Sequence, residues 1–193
     1  MRVLLTGFEP FGDSDINSSW ETAYQLGQLS IGGVDMEVVQ LPVSFIGSGK
    51  LIRKLLQNHK PDALVMLGQR GKGQSIDIER IAVNMMDSVN PDNDGFSPHE
   101  LPIVENACNA YFSNVSVKTL KNALENANIP SKVSNSAGLY VCNCTYYHAL
   151  SEIFDSELQT KAVFVHLPKL GKDFTIELLV ESIKKIIEEI LKQ

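Results

Sequence analysis

Short apolar segments alternate with helical patterns along most of the chain, and this alternation restricts the possible folds most strongly. Residues 63–67 are Ala-Leu-Val-Met-Leu, a run typical of a strand buried on both faces of a parallel sheet. Over residues 176–190, apolar side chains recur at helical spacing and predict a helix with one buried face. Strands that alternate with helices predict an α/β sandwich around a mostly parallel sheet.

The same patterns predict the remaining elements. Strands are expected at residues 2–6, 36–41, 131–133 and 161–166. Helices are expected from Ser18 or Ser19 to about Leu29, around residues 51–56 and ending before Pro61, after Ser116, and over residues 143–154. Between residues 76 and 85, alternating apolar side chains predict extended chain that changes face or bulges near Glu79 and Arg80.

The length and composition predict one domain. The chain has 193 residues, of which 44% are hydrophobic and 21% are charged, close to the averages of soluble globular proteins. It contains no internal repeat and no Pro-, Gly- or Ser-rich linker that would divide it. Residues 1–193 are therefore expected to form a single domain.

Charge and hydropathy exclude several classes of partner. With 17 Lys and Arg against 23 Asp and Glu, the formal charge is −6, so the chain lacks the basic excess that favours nucleic acids or anionic membranes. Its apolar runs are far shorter than the roughly 20 residues that cross a bilayer, and the apolar start breaks off too early for a secretory signal. We expect a cytoplasmic protein with no nucleic-acid or membrane partner.

Three cysteines cannot all pair within one chain, and cytosolic conditions favour free thiols. Cys142 follows the apolar residues 139–141, at an expected strand end and helix start, where unpaired amides favour a thiolate over a thiol. It could be a nucleophile, or equally a buried cysteine that packs as a small apolar residue. Cys144 and His148 have the spacing of two zinc ligands, but no second pair is visible, so we expect no metal site.

Two other residues could assist a nucleophile. His166 ends an apolar strand, where an imidazole can act as a general base, although a strand-end histidine more often has backbone partners alone. Glu79 lies in an apolar segment and could orient that imidazole, or could form a salt bridge with Arg80 or another cation. Spacing alone leaves these alternatives open.

Six motifs connect these candidates through a resemblance. In the order of the family, residues 5–12, 78–84, 91–93, 134–138, 141–143 and 165–168 resemble the pyroglutamyl peptidase I family. Each motif is weak alone, but six in order are highly specific. The resemblance implies a three-layer α/β/α sandwich around a mostly parallel, mixed open sheet. It also implies a cytosolic cysteine peptidase, free of cofactors, that removes amino-terminal pyroglutamate from peptides as a homodimer or homotetramer.

The resemblance assigns a catalytic role to three candidates. Cys142 is expected to attack the carbonyl that joins pyroglutamate to the next residue and so form an acyl-enzyme. His166 is expected to transfer the proton, and Glu79 to fix the tautomer of the imidazole and stabilise its charged form. Amides at the start of the following helix are expected to stabilise the oxyanion.

The resemblance also assigns four residues to substrate binding. Phe8 and Phe11 match the aromatic walls of the family's pocket. Asn17 and Gln69 match the polar side chains that form hydrogen bonds with the lactam. Without the resemblance, both phenylalanines would be read as ordinary packing residues, and Asn17 as a turn residue or helix cap.

Some positions depart from the family pattern. Val89 stands two residues before the Pro-Asp-Asn motif, where many members carry an arginine, so a site-organising cation is expected to be missing. Arg70 and Lys72 stand where the family usually has small residues, which predicts a more basic pocket rim. Two alternatives therefore stay open: a binder of capped peptide ends that does not cleave them, and another hydrolase or phosphorylase on a similar scaffold.

Overall fold

A computed structural model describes residues 1–12, 14–71 and 73–193. The strands in these ranges are β1 (Arg2–Phe8), β2 (Asp35–Leu41), β3 (Ala63–Arg70), β4 (Ile76–Glu79), β5 (Ile81–Val83), β6 (Ala110–Phe112), β7 (Ser131–Ser134) and β8 (Lys161–Pro168). The helices are α1 (Ser18–Gly27), α2 (Phe45–His59), α3 (Val117–Asn126), α4 (Val141–Asp155) and α5 (Ile176–Ile190). The predicted alternation of strands and helices is confirmed.

One mixed sheet forms the centre of the molecule. Across the described residues, its six strands run in the order β2-β1-β3-β8-β4-β7. Every neighbouring pair is parallel except β4 and β8, which are antiparallel. The predicted mostly parallel, mixed open sheet is therefore confirmed.

Helices cover both faces of the sheet, as a three-layer sandwich requires. Side chains on β1 alternate between the two faces: Val3 and Leu5 join one apolar core, while Leu4 joins the other. The first core lies under α1, α3 and α5, and the second lies under α2 and α4. The candidate site residues lie on the face that α2 and α4 cover and at the adjacent strand ends.

Two helix starts differ from the sequence prediction. Asn17, and not Ser18 or Ser19, caps α1, because its side-chain oxygen accepts a hydrogen bond from the backbone amide of Ser19. The helix α4 begins at Val141, two residues before the predicted start, so Cys142 lies inside its first turn. The residues before it form a loop and not a strand, which corrects the predicted strand end at residues 139–141.

The extended segment around Glu79 passes from one sheet to another. At Arg80 the chain leaves β4 of the main sheet and enters β5, which pairs with β6 in a separate two-stranded ribbon. The Arg80 amide donates to the carbonyl of Ser134, and its own carbonyl accepts from the amide of Ser113. The predicted change of face near Glu79 is thus a change of sheet.

None of the helices within the described ranges is long and apolar enough to span a membrane.

Candidate active site

The carboxyl ends of three adjacent parallel strands meet at one edge of the sheet. Phe8 ends β1, Gln69 lies near the end of β3, and His166 lies near the end of β8. The register of β3 and β8 places Gly68 directly beside His166. Ligands of open α/β sheets bind at such an edge, so the fold itself selects this region as the candidate site.

His166 and Glu79 form a buried pair across neighbouring strands. The ring nitrogen Nδ1 of His166 lies 2.8 Å from the carboxylate oxygen Oε1 of Glu79. The side chain of His166 is 6% exposed and that of Glu79 is fully buried. A carboxylate at this distance holds the imidazole in one orientation and favours a proton on Nδ1.

Cys142 approaches the same imidazole from the first turn of α4. Burial by itself lowers the pKa of His166, but the charge and hydrogen bond of Cys142, followed by those of Glu79, outweigh burial and raise the pKa to about 9. The imidazole therefore lies between the sulfur of Cys142 on one side and the carboxylate of Glu79 on the other, and both favour its charged form.

Gly68 leaves the space that Cys142 occupies. A Cβ atom at residue 68 would lie 3.1 Å from Sγ of Cys142 and 2.9 Å from the ring of Phe164. Both distances are tighter than ordinary van der Waals contact, so a side chain here would displace the thiol or the aromatic ring. Glycine at this point of β3 lets α4 bring its first turn against the sheet.

The other two cysteines lie elsewhere. Cys144 is buried between α2 and α4, where its Sγ lies 3.4 Å from the carbonyl oxygen of Phe45, and burial raises the pKa of its thiol to about 12. Cys108 is exposed. Within the described part of the chain, no group of three or more His, Cys, Asp or Glu side chains could hold a metal ion.

A small cavity opens beside the thiol. It has a volume of about 50 Å³, and both loops and strand ends contribute to its wall: Phe8, Phe11, Asn17, Val43, Gln69, Tyr140, Val141 and Cys142. All four residues assigned to substrate binding by resemblance, and the assigned nucleophile, thus line one cavity. Its wall is mostly apolar, as a pocket for a neutral flat ring requires.

Gln69 brings an unpaired hydrogen-bond donor to this cavity. Its Oε1 accepts a hydrogen bond of 2.8 Å from the backbone amide of Ser18, which fixes the orientation of the side-chain amide. Its Nε2 is buried and has no hydrogen-bond partner within the described residues. A buried, unpaired donor costs about 1–3 kcal/mol, so this group is suited to a ligand carbonyl.

The side-chain oxygen and nitrogen of Asn17 already form hydrogen bonds within the protein. Its Oδ1 accepts from both the amide and the hydroxyl of Ser19, and its Nδ2 donates to the carbonyl of Glu9 at 2.9 Å. The reading of Asn17 as a helix cap is therefore confirmed, although the residue also lines the cavity.

Two of the three residues that depart from the family pattern can be located in the structure. Arg70 contacts the buried carboxylates of Asp77 and Glu79 and is not among the residues that line the cavity, and the more basic rim stays a prediction. Val89 is 85% exposed. Lys72 lies outside the described residues.

Three polar side chains that hold the loops in place had no assigned role in the sequence analysis. Asn143, next to Cys142, accepts from the amide of Val83 and donates to the carbonyls of Val83 and Met85. Glu9 accepts from the amide of Val43 at 2.9 Å.

Asp92 accepts from the amide of Phe45, at the start of α2. Asn143, Glu9 and Asp92 each lie in one of the six motifs. Membership in those motifs was the sequence signal that could have identified them.

Comparisons with known proteins agree with this geometry. The sequence pattern of a family described as pyroglutamyl peptidase matches residues 1–188. The chain belongs to the pyroglutamyl peptidase family. It is 42% identical over 200 aligned residues to the pyrrolidone-carboxylate peptidase of Thermococcus onnurineus, with 100% of both chains covered. It is 46% identical over 168 residues to the pyrrolidone-carboxylate peptidase of Thermococcus kodakarensis, covering 87% of this chain and 81% of that one.

Solved structures of pyroglutamyl peptidases share the whole fold. A mutant pyrrolidone carboxyl peptidase from Pyrococcus furiosus superposes with a TM-score of 0.95 at 34% identity, over 100% of this chain and 99% of the other. Pyroglutamyl peptidase I from Bacillus amyloliquefaciens gives a TM-score of 0.93 at 28% identity, over 100% and 97%. The family resemblance and the fold class are therefore confirmed, and the phosphorylase and non-catalytic binder alternatives are not favoured.

Proposed function

We propose that this protein is a cysteine peptidase that removes amino-terminal pyroglutamate from peptides. The observation that carries the proposal is the position of Cys142, whose thiol interacts with His166 and also lines the cavity that contains Phe8, Phe11 and Gln69. A nucleophile that borders both a charged imidazole and an apolar cavity with an unpaired amide donor is suited to acyl transfer on a neutral lactam.

The first half-reaction forms an acyl-enzyme. The Cys142 thiolate, stabilised by the His166 imidazolium and by the start of α4, attacks the carbonyl carbon between pyroglutamate and the next residue. The new carbon–sulfur bond yields a tetrahedral oxyanion, and its collapse breaks the carbon–nitrogen bond. The imidazolium gives its proton to the departing amine, which leaves as the new amino terminus of the peptide.

The second half-reaction consumes water. Neutral His166 removes a proton from water, the hydroxide oxygen bonds to the thioester carbon, and the carbon–sulfur bond breaks to release pyroglutamate. Glu79 keeps Nδ1 protonated throughout, so Nε2 exchanges the proton. The side chain of Tyr140 does not cap α4, and the amides of the first turn of α4, including that of Cys142, are the proposed donors to the oxyanion.

Recognition of the lactam rests on shape and on one amide. The ring is proposed to lie between Phe8 and Phe11, with its carbonyl accepting from Nε2 of Gln69. Asn17 supports this arrangement mainly by fixing the loop that carries Phe11, because its oxygen already serves Ser19.

A pyroglutamyl amide that releases a fluorescent amine tests the proposal. We expect turnover by the protein, loss of turnover after alkylation with iodoacetamide, and loss in Cys142→Ser. Cys108→Ser is the matched control, because Cys108 is an exposed thiol away from the cavity. Absence of turnover in the well-folded protein, or normal turnover in Cys142→Ser, would contradict the proposal.

We also propose that the protein acts in the cytoplasm as a homodimer or homotetramer. The cytoplasmic part is supported by the need of a catalytic thiol for reducing conditions. Self-association is supported by Phe112 and Phe154, each 67% exposed, which border one open surface depression together with Tyr111. Light scattering coupled to size-exclusion chromatography measures the subunit number, and a monomer at micromolar concentration would contradict that part.

A further inference from the structure

Arg70 has no part in the mechanism above, yet it contacts the carboxylate that holds His166. Its Nη2 lies 3.2 Å from Oε1 of Glu79, the same oxygen that lies 2.8 Å from Nδ1 of His166. Its Nη1 lies 3.2 Å from Oδ2 of Asp77. One guanidinium therefore bridges two carboxylates, and one of them is the partner of the imidazole.

Those two carboxylates repel each other unless a cation lies between them. Asp77 and Glu79 are two residues apart on β4, so both side chains project from the same face of the sheet. They are 1% and 0% exposed. Like charges in such a buried place are unfavourable, and a cation that contacts both carboxylates offsets their repulsion.

Among the described groups around this pair, His166 acts on Glu79 through Oε1, and none bridges both carboxylates as Arg70 does. Lys132, on β7, lies 3.5 Å from Oδ2 of Asp77, and Ser75 donates to Oδ1 of Asp77, so both act on Asp77. The Tyr146 hydroxyl, on α4, donates to the backbone carbonyl of Glu79 and not to its carboxylate.

The carboxylate of Glu79 makes its polar contacts through one oxygen. Its Oε2 is buried and has no hydrogen-bond partner among the residues that the structure describes. Arg70 and His166 both contact Oε1, so Arg70 fixes which oxygen faces the imidazole. Arg70 also donates a long hydrogen bond, 3.4 Å, to the carbonyl of Ser136 in the loop that leads to α4.

We propose that Arg70 is a positioning residue that offsets the repulsion between Glu79 and Asp77 and directs Oε1 toward His166. This inference rests on the catalytic roles proposed for Cys142, His166 and Glu79. Arg70 holds in place the carboxylate that orients the imidazole. The family pattern usually has a small residue at this position, so the bridge that Arg70 forms is a feature of this chain and not of the family pattern.

The pH dependence of kcat/KM for a pyroglutamyl amide reporter tests the proposal. In Arg70→Met, which keeps the length of the side chain but removes the charge, we expect the acid limb to move upward by about one pH unit or more. At pH 6 the activity then falls at least about tenfold relative to the plateau, because the guanidinium no longer offsets the repulsion between Asp77 and Glu79. Lys54→Met, which removes an exposed positive charge on α2, is the control and should keep the wild-type profile.

A double variant separates charge from mere packing. In Arg70→Met/Asp77→Asn the repelling carboxylate is gone, so the acid limb should return toward its wild-type position. Arg70→Lys keeps a charge that cannot bridge both carboxylates in a planar fork, and it should give a smaller shift. The proposal is overturned if the acid limb of the pH profile is unchanged in Arg70→Met. It is also overturned if activity falls equally at every pH and Asp77→Asn does not relieve the fall.

A second readout keeps this test independent of the substrate. The rate at which iodoacetamide alkylates Cys142, followed by peptide mapping against pH, reports the same Cys142–His166 pair. If the wild-type protein alkylates normally at Cys142 but does not cleave the reporter, the proposed function fails and the Arg70 shift is still measurable. If circular dichroism shows that Arg70→Met does not fold, the pH profile of Arg70→Lys is the deciding measurement. An acid limb at the wild-type position in Arg70→Lys then contradicts the proposal.

Discussion

Nδ1 of His166 and Oε1 of Glu79 lie 2.8 Å apart although 87 residues separate them in the chain. They meet because β8 and β4 are neighbours in the sheet and run antiparallel, with Phe164 in register with Glu79 and His166 in register with Asp77. The pair is buried, so removing either group leaves the other without a charged partner in direct contact on that side. This relationship makes the properties of the imidazole sensitive to single changes around it.

Glu79→Gln tests whether this carboxylate serves the imidazole or only the fold. Glutamine keeps a similar shape but brings no charge, so we expect kcat to fall about 100-fold or more. Arg70 retains Asp77 as a partner, so the fold should persist. Steady-state kinetics and a thermal unfolding curve measure the two effects. Normal turnover, or a loss of activity that follows the loss of folded protein, would show that Glu79 is structural.

The stability of the protein should depend on the charge of His166. Because the pKa of His166 is raised from 6.5 to about 9, its protonated form stabilises the folded state. That contribution is complete below pH 6.5, declines as the pH rises from 6.5 to about 9, and is absent above this window. In urea titrations we expect the free energy of unfolding to fall over this window less steeply in His166→Gln than in the wild type. Equal slopes in the two proteins would contradict the raised pKa.

Gly68→Ala tests the close approach of α4 to the sheet. The added methyl group meets Phe164 at 2.9 Å and the thiol of Cys142 at 3.1 Å, so we expect about 1–3 kcal/mol of destabilisation and at least a tenfold lower kcat. Gly32→Ala is the matched control, because a Cβ there has no heavy atom of the described structure within 4 Å. Chemical denaturation and reporter turnover measure the effects, and equal behaviour of the two variants would refute the proposed contact.

Gln69→Leu tests the reading of the lactam carbonyl. A prolyl amide lacks that carbonyl and leaves Nε2 of Gln69 unpaired, so the wild-type protein should prefer the pyroglutamyl amide by at least about 100-fold in kcat/KM. In Gln69→Leu this ratio should decrease strongly. This ratio of the two kcat/KM values does not depend on the fraction of protein that is folded. The control is Gln74→Leu, at an exposed glutamine, which should leave the ratio unchanged. A wild-type ratio near one, or one that Gln69→Leu leaves intact, would contradict the role of Gln69.

The sequence predicted those parts of the fold that depend on local pattern. The apolar stripe of α5 and the cap of α3 at Ser116 are both confirmed, because periodicity and capping are properties of a few adjacent residues. The strand β6 was not predicted, since its three residues carry no periodic signal and depend on pairing with β5. The cap of α1 was assigned one or two residues too late, because Asn, Ser and Ser are all good caps in a row.

The site was predictable only through the ordered motifs. Cys142, His166 and Glu79 were separate candidates by spacing, and the cavity residues looked like ordinary core and turn residues. A salt bridge of Glu79 with a cation was one of the alternatives left open. Arg70 could not be named as the partner, because the contact crosses from β3 to β4 over the intervening strand β8 and depends on the antiparallel register. Local sequence holds no information on such a contact.

Labelling with a pyroglutamyl chloromethyl ketone tests the central claim most directly, namely that Cys142 is the nucleophile of a pocket for pyroglutamate. Peptide mapping by mass spectrometry should find one pyroglutamyl adduct, on the peptide that contains residue 142, and an excess of a pyroglutamyl amide should slow its formation. Cys142 and Cys144 are then distinguished by fragmentation and by the variant Cys144→Ser, which should still be labelled. An adduct on Cys144, on Cys108 or on no cysteine, in a protein that cleaves the reporter, would contradict the account.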